Sequence, residues 1–158
     1  VRENMSRAVD TDEDLCLLVL DIDHFKKFND SFGLLIGDHV LKLLATILRT
    51  GLKGKDLAAR YGGEGFGVLL PQTNLQNADE VAEGIREQLP KKKVVNRSTG
   101  QDLGKITLSV GVSRFRPAEQ ADEFNERANM SLYAAKKSGR NKVLTEADLE
   151  SLAKAANS

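Results

Sequence analysis

Apolar positions in the first third of the chain predict a buried strand followed by helices. The uninterrupted apolar run at 15–20 has the length and composition of a strand that is buried on both faces. A short helix is predicted after it, at 24–30. Gly33 and Gly37 are expected to bracket a break, and apolar residues then recur at helical spacing over 38–51.

A glycine-rich turn follows these elements. Two strand-like apolar runs, 57–59 and 66–70, flank Gly62 and Gly63, and this predicts a hairpin because glycine adopts positive φ without a steric penalty. Glu64 stands at its tip, beside backbone that carries no side chains, where a bulky anionic group can approach closely. The stretch alone allows two interpretations: a site for a nucleotide and a metal ion, or an ordinary glycine turn with a solvated glutamate.

The second half of the chain carries a further set of predicted elements. A helix with an apolar stripe follows the hairpin, and Asn74 or Asn77 is expected to cap it and Pro90 to end it. The remaining elements are, in order, two strands at 91–97 and 105–115 joined through 98–100, a helix at 121–137 that stops at Ser138-Gly139, a short strand at 142–144 and a terminal helix at 145–156. This order favours a mixed α/β fold with a largely antiparallel sheet.

The two ends of the chain are interpreted separately from its middle. Residues 1–14 are polar, without apolar periodicity strong enough to define an element, and are expected to be the end of a linker or of a helix from an upstream domain. The folded domain is expected at 15–144, with a helical tail at 145–158. Because the chain begins with Val1 rather than methionine, we expect it to be part of a longer protein.

Composition narrows the class of protein. A chain of 158 residues with 41% apolar and 29% charged residues is typical of one globular domain. The 23 basic and 23 acidic residues cancel, so no global field attracts nucleic acid or an anionic membrane. The single cysteine, Cys16, lies in an apolar run and predicts core packing in a reducing cytosol. No apolar run approaches the ~18 residues of a membrane span, so no direct membrane insertion is expected.

Two carboxylates follow the first predicted strand. If the strand continues, Asp21 and Asp23 are expected to point to opposite faces and therefore not to share one metal as an adjacent pair. One of them is expected to meet Glu64, and such a set of oxygen ligands suits Mg²⁺. The alternative is that acids at a strand end are solvated or cap the following helix.

Three stretches in the same order resemble the GGDEF domain of bacterial diguanylate cyclases. They are Asp21-Ile22-Asp23-His24-Phe25-Lys26-Lys27-Phe28-Asn29-Asp30, Ala59-Arg60-Tyr61-Gly62-Gly63-Glu64-Gly65-Phe66 and Leu132-Tyr133-Ala134-Ala135-Lys136-Lys137-Ser138-Gly139-Arg140-Asn141. The run Leu108-Ser109-Val110-Gly111-Val112 between the last two agrees as well. The resemblance covers roughly 15–144 and implies an α+β fold with a central, mostly antiparallel five-stranded sheet flanked by helices, like nucleotidyl cyclases and polymerase palms.

The resemblance assigns roles to individual residues. Asp21, the backbone carbonyl of Ile22 and Glu64 match metal ligands, and Glu64 also matches the proposed base for the attacking 3′-hydroxyl. The positions that match GTP-binding residues are Asn29 and Asp38 for guanine, Gly63 for close approach of the nucleotide, Phe25 and Lys26 for the terminal phosphates, and Lys136 and Arg140 for the triphosphate. An amide and a carboxylate suit guanine, and cations suit phosphate oxygens.

The implied activity is the condensation of two GTP molecules into cyclic di-GMP with release of two pyrophosphates. Each domain would hold one GTP with Mg²⁺ or Mn²⁺, and two domains would face each other in a homodimer. An upstream sensory domain would control that dimerisation. The expected location is the cytoplasm, either free or tethered to the membrane through domains outside this segment.

The chain also departs from the family pattern. The signature ends in two acids before phenylalanine, and here the second is Gly65, which predicts weakened activity because changes around a metal typically cost ~10–100-fold. At the inhibitory product site Lys53 replaces an arginine, Asp56 is kept, and Gly84 stands where a further arginine is expected, so weak binding of cyclic di-GMP is predicted. A catalytically degenerate module that binds GTP or a protein partner is the alternative function, and a purely structural domain is a third.

Overall fold

A computed structural model describes residues 2–54, 56–61, 65–96 and 98–157 of the chain. These ranges contain six α-helices, five strands and one 3₁₀ turn. The helices are α1 Arg2–Thr11, α2 Phe25–Phe32, α3 Leu34–Gly51, α4 Leu75–Gln88, α5 Ala121–Lys137 and α6 Glu146–Asn157. The strands are β1 Leu15–Ile22, β2 Leu57–Tyr61, β3 Gly65–Pro71, β4 Leu108–Arg114 and β5 Val143–Thr145, and the 3₁₀ turn is Leu89–Lys91.

One five-stranded sheet, in the order β2-β3-β1-β4-β5, forms the centre of the fold. All its pairs are antiparallel except β4 with β5. The apolar run that predicts a strand buried on both faces is β1, the middle strand, whose residues 15–20 are all buried. The prediction of a mixed α+β fold with a mostly antiparallel five-stranded sheet flanked by helices is confirmed.

Helices cover both faces of this sheet. On one face, apolar side chains of α3 and α4 pack against Leu18 and Leu20 of β1. On the other, α1 and α5 pack against Leu17 and Val19. This alternation follows from the period of two along a strand.

The N-terminal residues form a helix that packs on the sheet, although their sequence has no strong apolar period. Among the described side chains of α1, Met5 and Ala8 are the ones buried in the core on the Leu17 and Val19 face of the sheet. Two apolar residues one turn apart are too few to give a periodic signal in the sequence. In the structure they lie on one side of this ten-residue helix and pack against the sheet. The predicted division into a linker or helix end at 1–14, a domain at 15–144 and a helical tail at 145–158 stays a prediction.

Two predicted boundaries are wrong. Helix α3 begins at Leu34 and contains Gly37, which the sequence placed in a break before the helix. The segment 91–97 was predicted as a strand, but its described residues form no strand and contribute only an isolated bridge between Val95 and Asp102. Strand β4 is paired on one edge with β1 and on the other with β5, so it offers this segment no free edge.

The helix caps agree with the sequence. Asn74, one of the two predicted caps of α4, accepts the Asn77 backbone N–H at its Oδ1 at 2.8 Å. Helix α4 ends at Gln88, before Pro90, and α5 spans the predicted Ala121–Lys137 with Ser138 as its C-cap. Across the described ranges, no helix combines the length and the apolarity needed to cross a membrane.

Candidate nucleotide site

The C-terminal end of the central strand carries a carboxylate paired with a lysine. Asp21 lies in register between Gly65 of β3 and Ser109 of β4. Its Oδ2 accepts a hydrogen bond from the Nζ of Lys136 on α5, the helix that crosses this face of the sheet. Both side chains are partly exposed, so this ion pair is open to solvent at the C-terminal end of β1.

The second carboxylate, Asp23, has a different set of partners. It is 8% exposed and accepts hydrogen bonds from the hydroxyls of Thr107 and Ser109, both at 2.7 Å, and from the Asn141 backbone N–H at 3.0 Å. The prediction that Asp21 and Asp23 face opposite sides of the sheet is wrong, because residues two apart along a strand point to the same face. Ser109 lies directly opposite Asp21 and therefore shares its face, and the same serine reaches Asp23.

Four cations line a pocket next to these carboxylates. The pocket has a volume of about 400 Å³, and its lining comprises Ile22, Asp23, His24, Phe25, Lys26, Lys27, Asp30, Lys136 and Arg140. His24 takes a left-handed conformation, with φ of 56°, directly before the first turn of α2. The first backbone N–H groups of a helix have no partner within it, so the start of α2, at Phe25 and Lys26, adds donors to a basic pocket.

A second, larger cavity of about 990 Å³ lies between α3 and the edge strand β2. Asp38, Leu41 and Phe66 are among its lining residues, and so are Lys53 and Asp56 from the turn that precedes β2. The cavity therefore combines an apolar wall with one carboxylate on α3, which is suitable for a flat base with N–H donors.

Asn29 is placed by a close contact between α2 and α3. Its Oδ1 is buried and has no hydrogen-bond partner among the described residues. The oxygen lies only 1.7 Å from the position that a Cβ on Gly37 would occupy. A buried amide oxygen without a partner costs free energy, so a site that binds a donor is a physical reason to keep it.

The predicted product-site residues Lys53 and Asp56 lie in one turn before β2. The Asp56 carboxylate accepts the Lys53 backbone N–H at 3.1 Å and closes the turn, while the Lys53 side chain is exposed. Gly84 lies in α4, and a Cβ built on it meets nothing within 4 Å.

The signature turn itself is outside the described residues. Gly63 and Glu64 fall in the interval 62–64, so their predicted roles remain predictions. In the described ranges, which omit Glu64, no cluster of three potential metal-binding side chains occurs. Gly65 is described: it is buried and directly opposite Asp21, on the same face of the sheet.

Comparison with known proteins agrees with this geometry. The sequence profile of the family described as "Diguanylate cyclase, GGDEF domain" matches residues 1–142. The chain belongs to the GGDEF domain family. It is 44% identical over 130 residues to diguanylate cyclase DgcP of Pseudomonas aeruginosa, a match that covers 82% of this chain and 19% of that protein.

Solved GGDEF domains have the same fold. The GGDEF domain of DgcB from Caulobacter crescentus, solved in complex with c-di-GMP, superposes with a TM-score of 0.88 and 38% identity, covering 91% of this chain and 84% of that one. An active GGEEF domain of a diguanylate cyclase from Vibrio cholerae gives 0.83 and 30%, covering 91% and 90%. The fold is thus the palm-like fold of nucleotidyl cyclases, and the acid in the fourth position of that GGEEF signature is Gly65 in this GGDEF domain.

The sequence alone did not reveal every residue of the basic pocket. His24, Lys27 and Asp30 line it but were given no role. The partners of Asp23 were missed as well. The available signal was the placement of polar Thr107 and Ser109 on alternate positions of a buried strand region, opposite the end of β1.

Proposed function

We propose that this GGDEF domain is a diguanylate cyclase that condenses two GTP molecules into cyclic di-GMP and two pyrophosphates. The observation that carries the proposal is the cluster of four cations, Lys26, Lys27, Lys136 and Arg140, around a pocket beside Asp21 at the end of the central strand. A pocket of this charge suits a triphosphate. Family membership supports the same reading.

The residues divide into a base-binding and a phosphate-binding group. Asp38 accepts hydrogen bonds from guanine N1–H and N2–H₂, and the buried Oδ1 of Asn29 gains a partner when guanine binds. Leu41 and Phe66 supply the apolar wall of the cavity. Lys26, Lys136 and Arg140, together with the first amides of α2, hold the phosphates, and Gly63 lets the nucleotide approach the backbone.

The reaction forms one bond and breaks one bond at each α-phosphorus. The 3′-oxygen of one GTP attacks the α-phosphorus of the other, the α–β phosphoanhydride breaks, and pyrophosphate leaves. Glu64 accepts the proton of the 3′-hydroxyl. Two such events, one in each direction, close the ring, so a homodimer with one GTP in each domain is part of the mechanism.

A divalent cation, Mg²⁺ or Mn²⁺, fits the oxygen donors at the end of β1. Asp21, the backbone carbonyl of Ile22 and Glu64 would hold it, and they are the hard oxygen ligands that Mg²⁺ prefers. When bound, the ion neutralises charge on the phosphates and favours ionisation of the 3′-hydroxyl. The pairing of Asp21 with the ammonium of Lys136 indicates that this carboxylate is placed to hold a cation.

Gly65 is expected to lower the rate without abolishing it. It lies across from Asp21, where the family has a second carboxylate, so one acidic group next to the metal ligand is missing. The loss of such a group typically costs ~10–100-fold. A degenerate module that binds GTP or a protein partner without turnover is the second candidate, and the observation that favours it is Gly65.

Product inhibition is expected to be weak. Lys53 offers a point charge in place of the planar fork of arginine, and Gly84 offers no side chain. Calorimetry with cyclic di-GMP should therefore detect no micromolar binding. Micromolar binding that is abolished in Lys53→Ala would contradict this expectation.

The wider setting is also part of the proposal. The domain at 15–144 acts as the output of a longer bacterial signalling protein whose upstream sensory domain, reached through 1–14, controls dimerisation. We place it in the cytoplasm, free or tethered through segments outside this chain, and assign it no nucleic-acid partner.

One experiment separates the candidates. The chain, fused to a dimerising coiled coil, is incubated with GTP and Mg²⁺ or Mn²⁺, and cyclic di-GMP is quantified by mass spectrometry. Product that disappears in Glu64→Gln supports the cyclase. GTP binding without product supports the regulatory module, and neither binding nor product leaves only the family and the fold.

A further inference from the structure

The turn that follows α5 is built from three successive residues with positive φ. The angles are 118° at Gly139, 63° at Arg140 and 48° at Asn141. Glycine and, to a lesser degree, asparagine tolerate this region, but for arginine it is unfavourable. Such a conformation persists only where surrounding contacts hold it.

Asp23 supplies the contact that fixes the end of this turn. Its Oδ2 accepts the Asn141 backbone N–H at 3.0 Å, while hydroxyls of Thr107 and Ser109 anchor the same carboxylate at 2.7 Å. The Asp23 backbone N–H also donates to the Thr107 carbonyl at 2.9 Å. The carboxylate is therefore fixed by the β4 side of the sheet and in turn fixes the residue next to Arg140.

Two other contacts hold the turn from the helices. The Arg86 Nη1 on α4 donates to the Asn141 Oδ1 at 3.0 Å, and the Arg140 backbone N–H donates to the Ala135 carbonyl at 2.9 Å. Asp23 is thus one of three fixed points around the turn, and it is the one that also lines the basic pocket together with Arg140.

The hydrogen bonds of Asp23 argue against a role as a metal ligand. A carboxylate has about four lone-pair sites, and three protein donors already occupy this one. It is also buried, with 8% of its surface exposed. Asp21, whose side-chain hydrogen bond comes from the mobile end of a lysine, is the better placed carboxylate for an ion.

We propose that Asp23 is a positioning residue for the triphosphate: its carboxylate holds the 139–141 turn in the conformation that presents Arg140 to the basic pocket. The inference rests on the proposed binding of GTP at this pocket. It adds a residue to the site and assigns the second acid of the Asp21-Ile22-Asp23 stretch to phosphate recognition.

The test compares substitutions at Asp23 with a matched control in the 158-residue chain. Asp23→Ala removes all three accepted hydrogen bonds. Asp23→Asn keeps two of them and reverses the third, because its amide oxygen can accept the Thr107 hydroxyl and the Asn141 N–H while its NH₂ donates to the Ser109 hydroxyl. Asp122→Ala removes the same charge from an exposed residue in the first turn of α5, which does not line this pocket.

Affinities are measured by calorimetry for GTP with Mg²⁺, for tripolyphosphate and for GMP. We expect Asp23→Ala to weaken binding of GTP and of tripolyphosphate about tenfold, the effect of one lost hydrogen bond to a charged group. Binding of GMP, which lacks the β- and γ-phosphates, should change less than about twofold. Asp23→Asn and Asp122→Ala should remain within about twofold of the wild type for all three ligands.

A double-mutant cycle identifies the route of the effect. In an Arg140→Gln background, Asp23→Ala should add less than about twofold to the loss of tripolyphosphate affinity, because the arginine that it positions is gone. If Asp23→Ala does not fold, as judged by its thermal unfolding, Asp23→Asn decides the matter: an Asn variant that loses as much affinity as Arg140→Gln overturns the proposal.

Other outcomes contradict it equally clearly. An undiminished effect of Asp23→Ala in the Arg140→Gln background, or an equal loss for GMP, means that Asp23 does not act through Arg140. A wild-type chain that binds tripolyphosphate but makes no cyclic di-GMP refutes the cyclase and leaves the role of Asp23 standing. A wild-type chain that does not bind tripolyphosphate overturns the role of Asp23.

Discussion

The replacement of Gly37 by alanine tests the proposed guanine-binding role of Asn29 and the way its amide is held. Asn29 Oδ1 lies 1.7 Å from the position of a Cβ on Gly37, whereas real Cβ atoms essentially never approach another atom closer than 3.0 Å. The added methyl group must therefore push the amide away by about 1.3 Å, the difference between these distances. A hydrogen bond of about 2.9 Å that is lengthened by this amount is lost.

The expected change in affinity follows from that displacement. One lost hydrogen bond to guanine, at about 1–1.5 kcal/mol, raises the dissociation constant for GTP about tenfold. The free energy of unfolding receives two opposite contributions. Displacing Asn29 lowers it, whereas alanine in a helix interior is favoured over glycine by ~1 kcal/mol and raises it. The chain should therefore lose nucleotide affinity with little change in its free energy of unfolding.

Calorimetric titration with GTP and with tripolyphosphate measures the effect, and Gly84→Ala is the matched control. Gly84 also lies inside a helix, but its Cβ would meet nothing within 4 Å, so this variant should gain ~1 kcal/mol of stability and keep its GTP affinity. Wild-type affinity for GTP in Gly37→Ala would show that the position of the Asn29 amide does not determine guanine binding. An equal loss for tripolyphosphate would show a general disturbance of the site.

Three further predictions concern the metal ligand, the stability of the domain and its thiol. Gly65→Glu places a carboxylate opposite Asp21 and should raise the rate of cyclic di-GMP formation about tenfold or more in a forced dimer. An unchanged or lower rate would show that the missing acid does not limit the rate at this site. Arg127→Met breaks the ion pairs with the largely buried carboxylates of Glu119 and Glu146 and should destabilise the fold by about 3 kcal/mol in urea unfolding. Burial acts to raise the pKa of Glu119, but hydrogen bonds from Arg127 and from the Arg116 backbone N–H, together with the charges of both arginines, outweigh it and lower that pKa. The stabilisation is therefore present above the ordinary value of 4.5 and is lost as pH falls below it. A wild-type stability that does not fall more steeply than that of Arg127→Met in acid would contradict this. Burial raises the pKa of Cys16 to about 12, so iodoacetamide at pH 8 should label the unfolded chain and leave the native chain unlabelled. Rapid labelling of the native chain would contradict the buried position of this thiol.

Elements with strong local signals were predictable from the sequence. Helix α5 matches its predicted bounds because it is ended by Ser138 and Gly139, and Asn74 caps α4 as one of two candidates. The central strand was recognisable from its unbroken apolar run at 15–20. In each case the determinant lies within a few residues of the element.

Features that depend on distant partners were not predictable in this way. Gly37 lies inside α3, where its missing side chain leaves the space that Asn29 of α2 occupies. The segment 91–97 forms no strand, and β5, which follows much later in the chain, pairs with the edge of β4. The partners of Asp23 come from β4 and from the turn after α5. Such contacts exist only in the folded chain, so local patterns carry little information about them.

In the proposed mechanism, two GTP-loaded copies of this domain react with each other. Its most direct test is the initial rate of cyclic di-GMP formation by the untethered chain at saturating GTP and Mg²⁺, measured against protein concentration. We expect a rate that rises with the square of the concentration while the chain is mostly monomeric, and no product with Glu64→Gln. A rate proportional to concentration over the same range, or GTP binding without product at any concentration, would contradict it.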